Sequence, residues 1–446
     1  MSQPVPIKIY PRLTSGRFNN IRVALVILTQ LVFLGLPWLQ WNHRQAVLFD
    51  LERHQFFVFG ASFWPEDFVY LAALLVVSAL GLFWWTTLAG RLWCGYSCPQ
   101  TVYTQIMLWI ERLVLGDHKA RRKLDAAPNS TTKLLRKALA HGLMLLFSLW
   151  TGFSLVAYFA PAGQLASNLW QGQAGPWEVF WILFYAAFTY LLAALLREKV
   201  CSHMCPYARF QGAMFDRDTL IISYDARRGE PRGKQADKSA GGCIDCGICV
   251  QVCPTGIDIR NGLQYECIGC AACIDACDQV MEQLHAPRGL IRYTSEAALA
   301  GDSTSKPAWQ RPRVLFYSSL LLGIISLSVF SFSQRLPFKA DILRDRASLV
   351  RETDDGWLEN SYSVRLINSS ESAQRLAISV EGLPGIRLVA ATPTVSLAAT
   401  ATETIGVRVQ VEPQYAARGA NDIRFVIRSL AQPAHVLQEK SSFIGE

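Results

Sequence analysis

The stretch CIDCGICVQVCP, Cys243 to Pro254, is followed thirteen residues later by CIGCAACIDACD, Cys267 to Asp278. Both runs space their cysteines as C-x2-C-x2-C-x3-C, the spacing of bacterial ferredoxins with two cubane clusters. Three closely spaced thiolates can hold one cluster from one loop, while the fourth reaches across to the other. The pattern therefore predicts Cys243, Cys246, Cys249 and Cys277 around one [4Fe-4S] cluster, and Cys267, Cys270, Cys273 and Cys253 around the second. Two zinc sites would more commonly use separated C-x2-C pairs. The second run ends in Asp278 where the first has Pro254. A carboxylate there disfavours the more negative reduced state, so the neighbouring cluster is expected to have the lower potential of the two.

Outward from this pair, the chain becomes apolar. Five stretches lack Asp, Glu, Lys and Arg and are long enough to cross a hydrocarbon core as helices. They are Val23 to Trp41, Phe68 to Ala89, Ala138 to Ala160, Val179 to Leu196, and Val314 to Ser333. Lys8, Arg12, Arg17 and Arg22 lead into the first of these without a small-residue cleavage site, the pattern of a signal anchor. Nine Lys or Arg lie between Arg91 and Lys137, whereas Pro161 to Trp177 has none. The positive-inside rule then predicts a cytoplasmic N-terminus and, after five spans, an external C-terminus. Every cysteine falls on the predicted cytoplasmic side, where thiols stay reduced. The basic run Lys119, Arg121, Arg122 and Lys123 reads as a topology determinant.

Four further cysteines share a C-x3-C-P pattern: Cys94 and Cys98 before Pro99, Cys201 and Cys205 before Pro206. Cys94 lies five residues after the second span and Cys201 five after the fourth, so the two motifs resemble an internal repeat at one depth. An i, i+4 pair shares a helical face, and the following proline makes the helix stop or restart. The four thiols are expected to converge as a redox or metal site, with His203 and Met204 as additional soft ligands. His141, inside the third span, is a candidate for metal ligation or quinone contact by its ionisable character alone.

From about Lys339 the pattern changes to period two, as in Tyr362, Val364, Leu366, then Ile405, Val407, Val409, Val411, then Ile423, Phe425, Ile427. This predicts an all-β, immunoglobulin-like sandwich. With no Cys or Met and only His435, it is expected to dock a partner and to bind no soft metal. The fold class is thus a multi-domain membrane protein. The expected division is residues 1–224 for the N-terminal segment, four transmembrane helices and both C-x3-C-P motifs, and 225–312 for a polar linker and the two-cluster ferredoxin insert. A fifth helix over 313–335 and a β-sandwich over 336–446 complete it.

Composition supports this division. Of 446 residues, 51% are hydrophobic and only 17% charged, and mean hydropathy is +0.19, which points to a bilayer. The formal net charge of +8 follows from basic residues flanking the spans, so nucleic-acid binding is not expected.

With these features assembled, the chain resembles the FixG/RdxA/CcoG family of cytochrome oxidase accessory proteins over nearly its whole length. The resemblance is carried by Trp93 to Thr101, Lys199 to Gln211 and Cys243 to Cys277. It implies a multi-pass protein of the bacterial inner membrane with its iron-sulfur domain cytoplasmic and its β domain periplasmic. It further implies a cupric reductase that serves cbb-type oxidase assembly, with an oxidase assembly factor or a copper-transporting ATPase as partner. Copper would be substrate or transient ligand at Cys94, Cys98, Cys201 and Cys205, where an additional metal is also conceivable, and the electron donor is unidentified. Thiolates and thioethers prefer Cu(I), which is compatible with that chemistry. Two other classes compete on sequence grounds: a quinol-linked respiratory electron conduit, and an oxidase assembly scaffold with structural clusters.

Overall fold

The computed structural model describes residues 9–233, 241–301, 307–345, 350–390 and 394–445. Lys8 of the leading basic segment and residues 234–240 of the polar linker lie outside the described residues. The chain divides into two compact units, Met1–Leu48 with Val69–Leu327, and Phe49–Phe68 with Ser328–Glu446.

Five helical segments among the described residues are long and apolar enough to span a membrane: Arg17–Trp38, Pro65–Ala89, Thr131–Val156, Pro176–Leu196 and Pro312–Ser333. Their number agrees with the sequence, but their ends differ from the charge-free stretches. The first begins six residues earlier, at Arg17, because charge marks the limit of the apolar core and not of the hydrogen-bond ladder. The third begins at Thr131, where the Ser130 hydroxyl caps the Lys133 amide at 3.2 Å, satisfying a donor that the helix leaves unpaired. His141 therefore sits ten residues inside this helix and its Nδ1 meets the Tyr190 hydroxyl at 2.8 Å. Near the C-terminal end of the third span, Gly152 has no room for a Cβ against the Ile182 carbonyl and the Ala186 amide, so the third and fourth spans touch backbone to backbone.

Within the first unit, the two-cluster fold begins at Ile221. Strand Ile221–Tyr224 pairs antiparallel with Ile291–Thr294, and helices Ile248–Gln251 and Ala272–Gln283 each follow the first loop of a cysteine run. Ile222, Val252, Ile259, Ile268, Ile274, Leu290 and Ile291 form its core. Asp275, between Cys273 and Cys277, reaches out of this core and accepts hydrogen bonds from the Phe18 and Asn19 amides at 3.2 and 2.7 Å. A ferredoxin side chain thus caps the first membrane helix, where a carboxylate also complements the helix dipole.

The second unit is an antiparallel sandwich. One sheet orders Arg387–Val389, Thr402–Val411, Leu358–Asn368 and Phe338–Arg344, with Arg351–Glu352 beside Leu358–Asn368; the other orders Thr394–Leu397, Gln374–Glu381, Gly419–Ser429 and Val436–Gly445. The alternating residues face inward as their period requires: Val364, Leu366, Val409, Phe425 and Ile427 are all fully buried. Segment 49–68 joins this unit by a short hairpin, Gln55–Val58 with Ala61–Phe63. Its buried Asp67 takes an ion pair from Arg335 and one from Lys339, each at 2.6 Å.

Candidate functional site

The eight cysteines of the ferredoxin runs line two cavities. One is walled by Cys243, Cys246, Cys249 and Cys277, and the other by Cys253, Cys267, Cys270 and Cys273, with Cys249 at its edge. These are the crossed sets that the spacing predicts. Left-handed Gly247 (φ 64) and Ala271 (φ 58) turn each cysteine loop into its helix, a conformation natural to glycine and costly for alanine. Cys246 is exposed, whereas Cys243, Cys249, Cys270 and Cys273 are buried.

The donor chemistry fits a cubane in each cavity. Burial pushes Cys249 up to about 11, and Cys267 and Cys277 up to about 12, with neighbouring thiols and, for Cys277, Asp278 adding to the effect. Cys273 is raised well above its ordinary value by burial and by four neighbouring thiols. So many buried, mutually repelling thiols are protonated on their own; thiolates persist there only when a metal replaces the protons.

Both C-x3-C-P motifs adopt one local design. Cys98 (ψ 130) and Cys205 (ψ 111) are extended N-caps, and Pro99 and Pro206 begin the helices Pro99–Leu115 and Pro206–Met214, the position where a missing amide costs nothing. The first cysteines differ: Cys94 sits in a short helix, Leu92–Tyr96, whereas Cys201 lies in a π turn, Val200–Met204. The i, i+4 pairs therefore do not share one continuous α-helix, because the proline restarts the helix after the second cysteine. The four thiols nevertheless come within electrostatic reach of each other, although among the described residues no three or more His, Cys, Asp or Glu are arranged to hold a metal ion. Cys94 feels Cys98 and Cys205, and Cys201 feels all three others; burial foremost pushes Cys94 up to about 11 and Cys201 up to about 12. Cys98 is also raised by burial, against the backbone amides of Gln100 and Thr101 that favour its thiolate. His203 and Met204 are exposed, Met204 by 57%.

Several residues that sequence patterns did not single out hold this arrangement. Gly95 packs so closely on the second ferredoxin loop that a Cβ would lie 2.8 Å from the Cys270 backbone and from Gly269. Arg91 donates to the carbonyls of Tyr265, Cys267 and Ala208. Tyr293 donates to the Gly269 carbonyl at 2.7 Å and lies 3.4 Å from the Tyr96 hydroxyl. Fully buried Gln211 meets the Cys94 Sγ at 3.5 Å, and Gln100 joins the hairpins by donating to the Leu192 and Arg197 carbonyls. Arg197, in the strained left-handed region (φ 47), is pinned by buried Glu111, which also binds Arg121. Burial alone would raise the Glu111 carboxyl, but the two guanidiniums hold it below the usual range. Gly95 and Gln211 lie inside the two motif stretches, and that adjacency was the available signal; the Glu111 pairing joins sequence-distant helices and left none.

The fold and cysteine sites together define a membrane-bound, ferredoxin-type electron-transfer protein with 4Fe-4S clusters. Family models agree: a 4Fe-4S dicluster domain matches residues 196–296, a 4Fe-4S binding domain residues 71–122, and the Ig-like fold at the C-terminus of FixG residues 328–446. The nitrogen fixation protein FixG of Rhizobium meliloti is 37% identical over 417 residues, covering 84% of this chain and 80% of the relative. Protein RdxA of Cereibacter sphaeroides is 38% identical over 404 residues, covering 87% and 86%. The ferredoxin-type protein NapH of Haemophilus influenzae is 24% identical over 217 residues, covering 46% and 66%. The chain belongs to the FixG/RdxA family.

Proposed function

We propose that this protein reduces Cu(II) to Cu(I) at the thiols of Cys94, Cys98, Cys201 and Cys205, with electrons drawn from clusters held by the eight ferredoxin cysteines. The observation that carries this reading is Gly95. Its backbone, between Cys94 and Cys98, lies against Gly269 and Cys270, so the membrane-face thiols and the loop holding one cluster form one continuous structure. Arg91 and the Tyr96–Tyr293 pair fasten the same contact.

When bound, the cubanes supply single electrons. The protein's own thiols supply the bias: soft sulfur donors stabilise Cu(I) over Cu(II). Each Cu(II) reduced at these thiols would take one electron, which a cluster held by the ferredoxin cysteines would supply. Exposed Met204 stands beside the site as a thioether for Cu(I) to meet on leaving. The loop charges support a topology with the iron-sulfur domain and all twelve cysteines in the cytoplasm, and the family resemblance supports a bacterial inner membrane with the β-sandwich in the periplasm. There the sandwich would dock an oxidase assembly factor or a copper-transporting ATPase.

Replacing Cys94, Cys98, Cys201 and Cys205 together by serine, while checking that both clusters remain, tests the reading. Copper reduction should be lost with cluster absorbance unchanged. Reduction at the wild-type rate would remove these thiols from the mechanism.

A further inference from the structure

Five arginines are buried among the described residues: Arg22, Arg91, Arg121, Arg197 and Arg311. Four of them have an acid in their network. Arg121 and Arg197 share Glu111, and Arg311 meets Asp216 at 3.3 Å. Arg22 donates to the Asn19 side chain, whose backbone amide in turn bonds Asp275. Arg91 has no ion pair among the described residues. Its terminal nitrogens donate to the carbonyls of Tyr265, Cys267 and Ala208, and its Nε is buried without a partner.

A guanidinium keeps its charge at any pH a protein tolerates, and a buried charge with no opposite charge beside it is strongly destabilising. Carbonyl dipoles solvate Arg91 but do not neutralise it. What lies against it is the loop that carries Cys267 and Cys270: the Arg91 carbonyl group abuts Gly269, and its side chain reaches the Cys267 carbonyl at 3.4 Å. A cubane held by four thiolates carries a net charge of about −2 oxidised and about −3 reduced. That is the opposite charge Arg91 lacks. The same residue opens the thiol hairpin, since its carbonyl accepts the Gly95 amide at 3.2 Å, and its charge is felt at the sulfurs of both Cys267 and Cys94.

The first cysteine set, Cys243, Cys246, Cys249 and Cys277, has different surroundings. The cation that acts on Cys249 is Arg260, and two carboxylates, Asp245 and Asp258, pair with it at 2.5 and 2.7 Å. Asp278 adds a further negative charge at Cys277. The second set, Cys253, Cys267, Cys270 and Cys273, instead faces a cation that no acid offsets. Positive charge favours the more negative, reduced state of a cluster and so raises its potential.

We propose that Arg91 is the counter-ion of the cluster in the second set and gives it the higher potential of the two, so that electrons collect beside Cys94. An electron that moves from the first set to the second leaves one cluster oxidised by one unit and the other reduced by one, and no bond or proton changes. The inference rests on the reading that the ferredoxin cysteines hold clusters; it does not require copper as the final acceptor.

Anaerobic redox titration of the full-length protein in detergent, followed by EPR, tests this. Arg91→Gln keeps donors for the carbonyls and removes the charge, whereas Arg91→Lys keeps the charge. Wild type should show two potentials. Arg91→Gln should lower the higher one by about tenfold in its reduction equilibrium, about 59 mV for a one-electron couple, and leave the lower one in place. Arg91→Lys should keep both near their wild-type values, and Asp278→Asn should move the lower one instead. Equal shifts in the Gln and Lys variants, or none in either, would overturn the counter-ion. Movement of the lower potential by Arg91→Gln, or of the same potential by Arg91→Gln and Asp278→Asn, would overturn the division between the sets. If Arg91→Gln purifies with one cluster, the iron content of Arg91→Lys decides: two clusters support the proposal and one overturns it. Wild type that purifies intact without iron would overturn the cluster assignment and this inference together.

Discussion

Gly95→Ala is the smallest change that addresses the joint between the membrane-face thiols and the ferredoxin. The added Cβ would lie 2.8 Å from the Cα and N of Cys270 and from the carbonyl carbon of Gly269. Carbon atoms pack comfortably at about 3.5–4.0 Å, so the two loops must separate by roughly 1 Å. Backbone cannot yield as a side-chain tip does, and Gly269 also abuts the Arg91 carbonyl of the same hairpin, 3.0 Å from where its own Cβ would stand. Overpacking of this kind costs about 1–3 kcal/mol. The strain falls on the loop that carries Cys267 and Cys270. Gly95→Ala should therefore alter the low-temperature EPR spectrum or lower the iron content of one cluster, and slow single-turnover copper reduction. Gly142→Ala and Gly323→Ala, where a Cβ meets nothing within 4 Å, are the controls. A Gly95→Ala protein matching those controls in EPR, iron content and copper reduction would refute the joint.

Other perturbations probe separate parts of the structure. Glu111→Gln leaves Arg121 and Arg197 buried around a neutral amide and should destabilise the protein by about 3–5 kcal/mol, read as a lower denaturation midpoint in detergent. Because Glu111 titrates below its ordinary value, its stabilisation is complete above the unfolded carboxylate pKa. It is lost as pH falls through the lower folded value, so the gap between wild type and Glu111→Gln should narrow under acid. Asp278→Asn removes a negative charge beside Cys277 and should raise the potential of the cluster held with Cys243, Cys246 and Cys249; separate redox titration of the two clusters measures it. Asp67→Asn strips the buried carboxylate from Arg335 and Lys339 and should cost about 3–5 kcal/mol in the β-sandwich unit, measured by thermal unfolding.

The parts that sequence made legible are those with a period or a spacing. The spacing of the two cysteine runs foretold which cysteines line each cavity, because a cubane ligand pattern is local except for one reach across. The sandwich strands followed from period two, and the spans from length and charge. What escaped was specified by contacts between distant segments. Asp275 reads as one more acid in a cysteine-rich helix, yet it caps the first span 256 residues away from Asn19. Glu111 reads as the polar face of an interfacial helix until Arg121 and Arg197 close on it. The π turn at Val200–Met204 also left no periodic signal, since its extra residue per turn departs from the helical period. Segment 49–68 carries no signal for its place in the second unit, where Asp67 meets two cations more than 260 residues away.

The most direct test of the account is an anaerobic titration of the purified, reduced protein, freed of excess reductant, with stoichiometric Cu(II). Cluster oxidation and Cu(I) capture by a colorimetric chelator are followed in the same sample. The account predicts that one Cu(I) appears for each electron the clusters lose. Clusters that remain reduced while Cu(II) persists would contradict it.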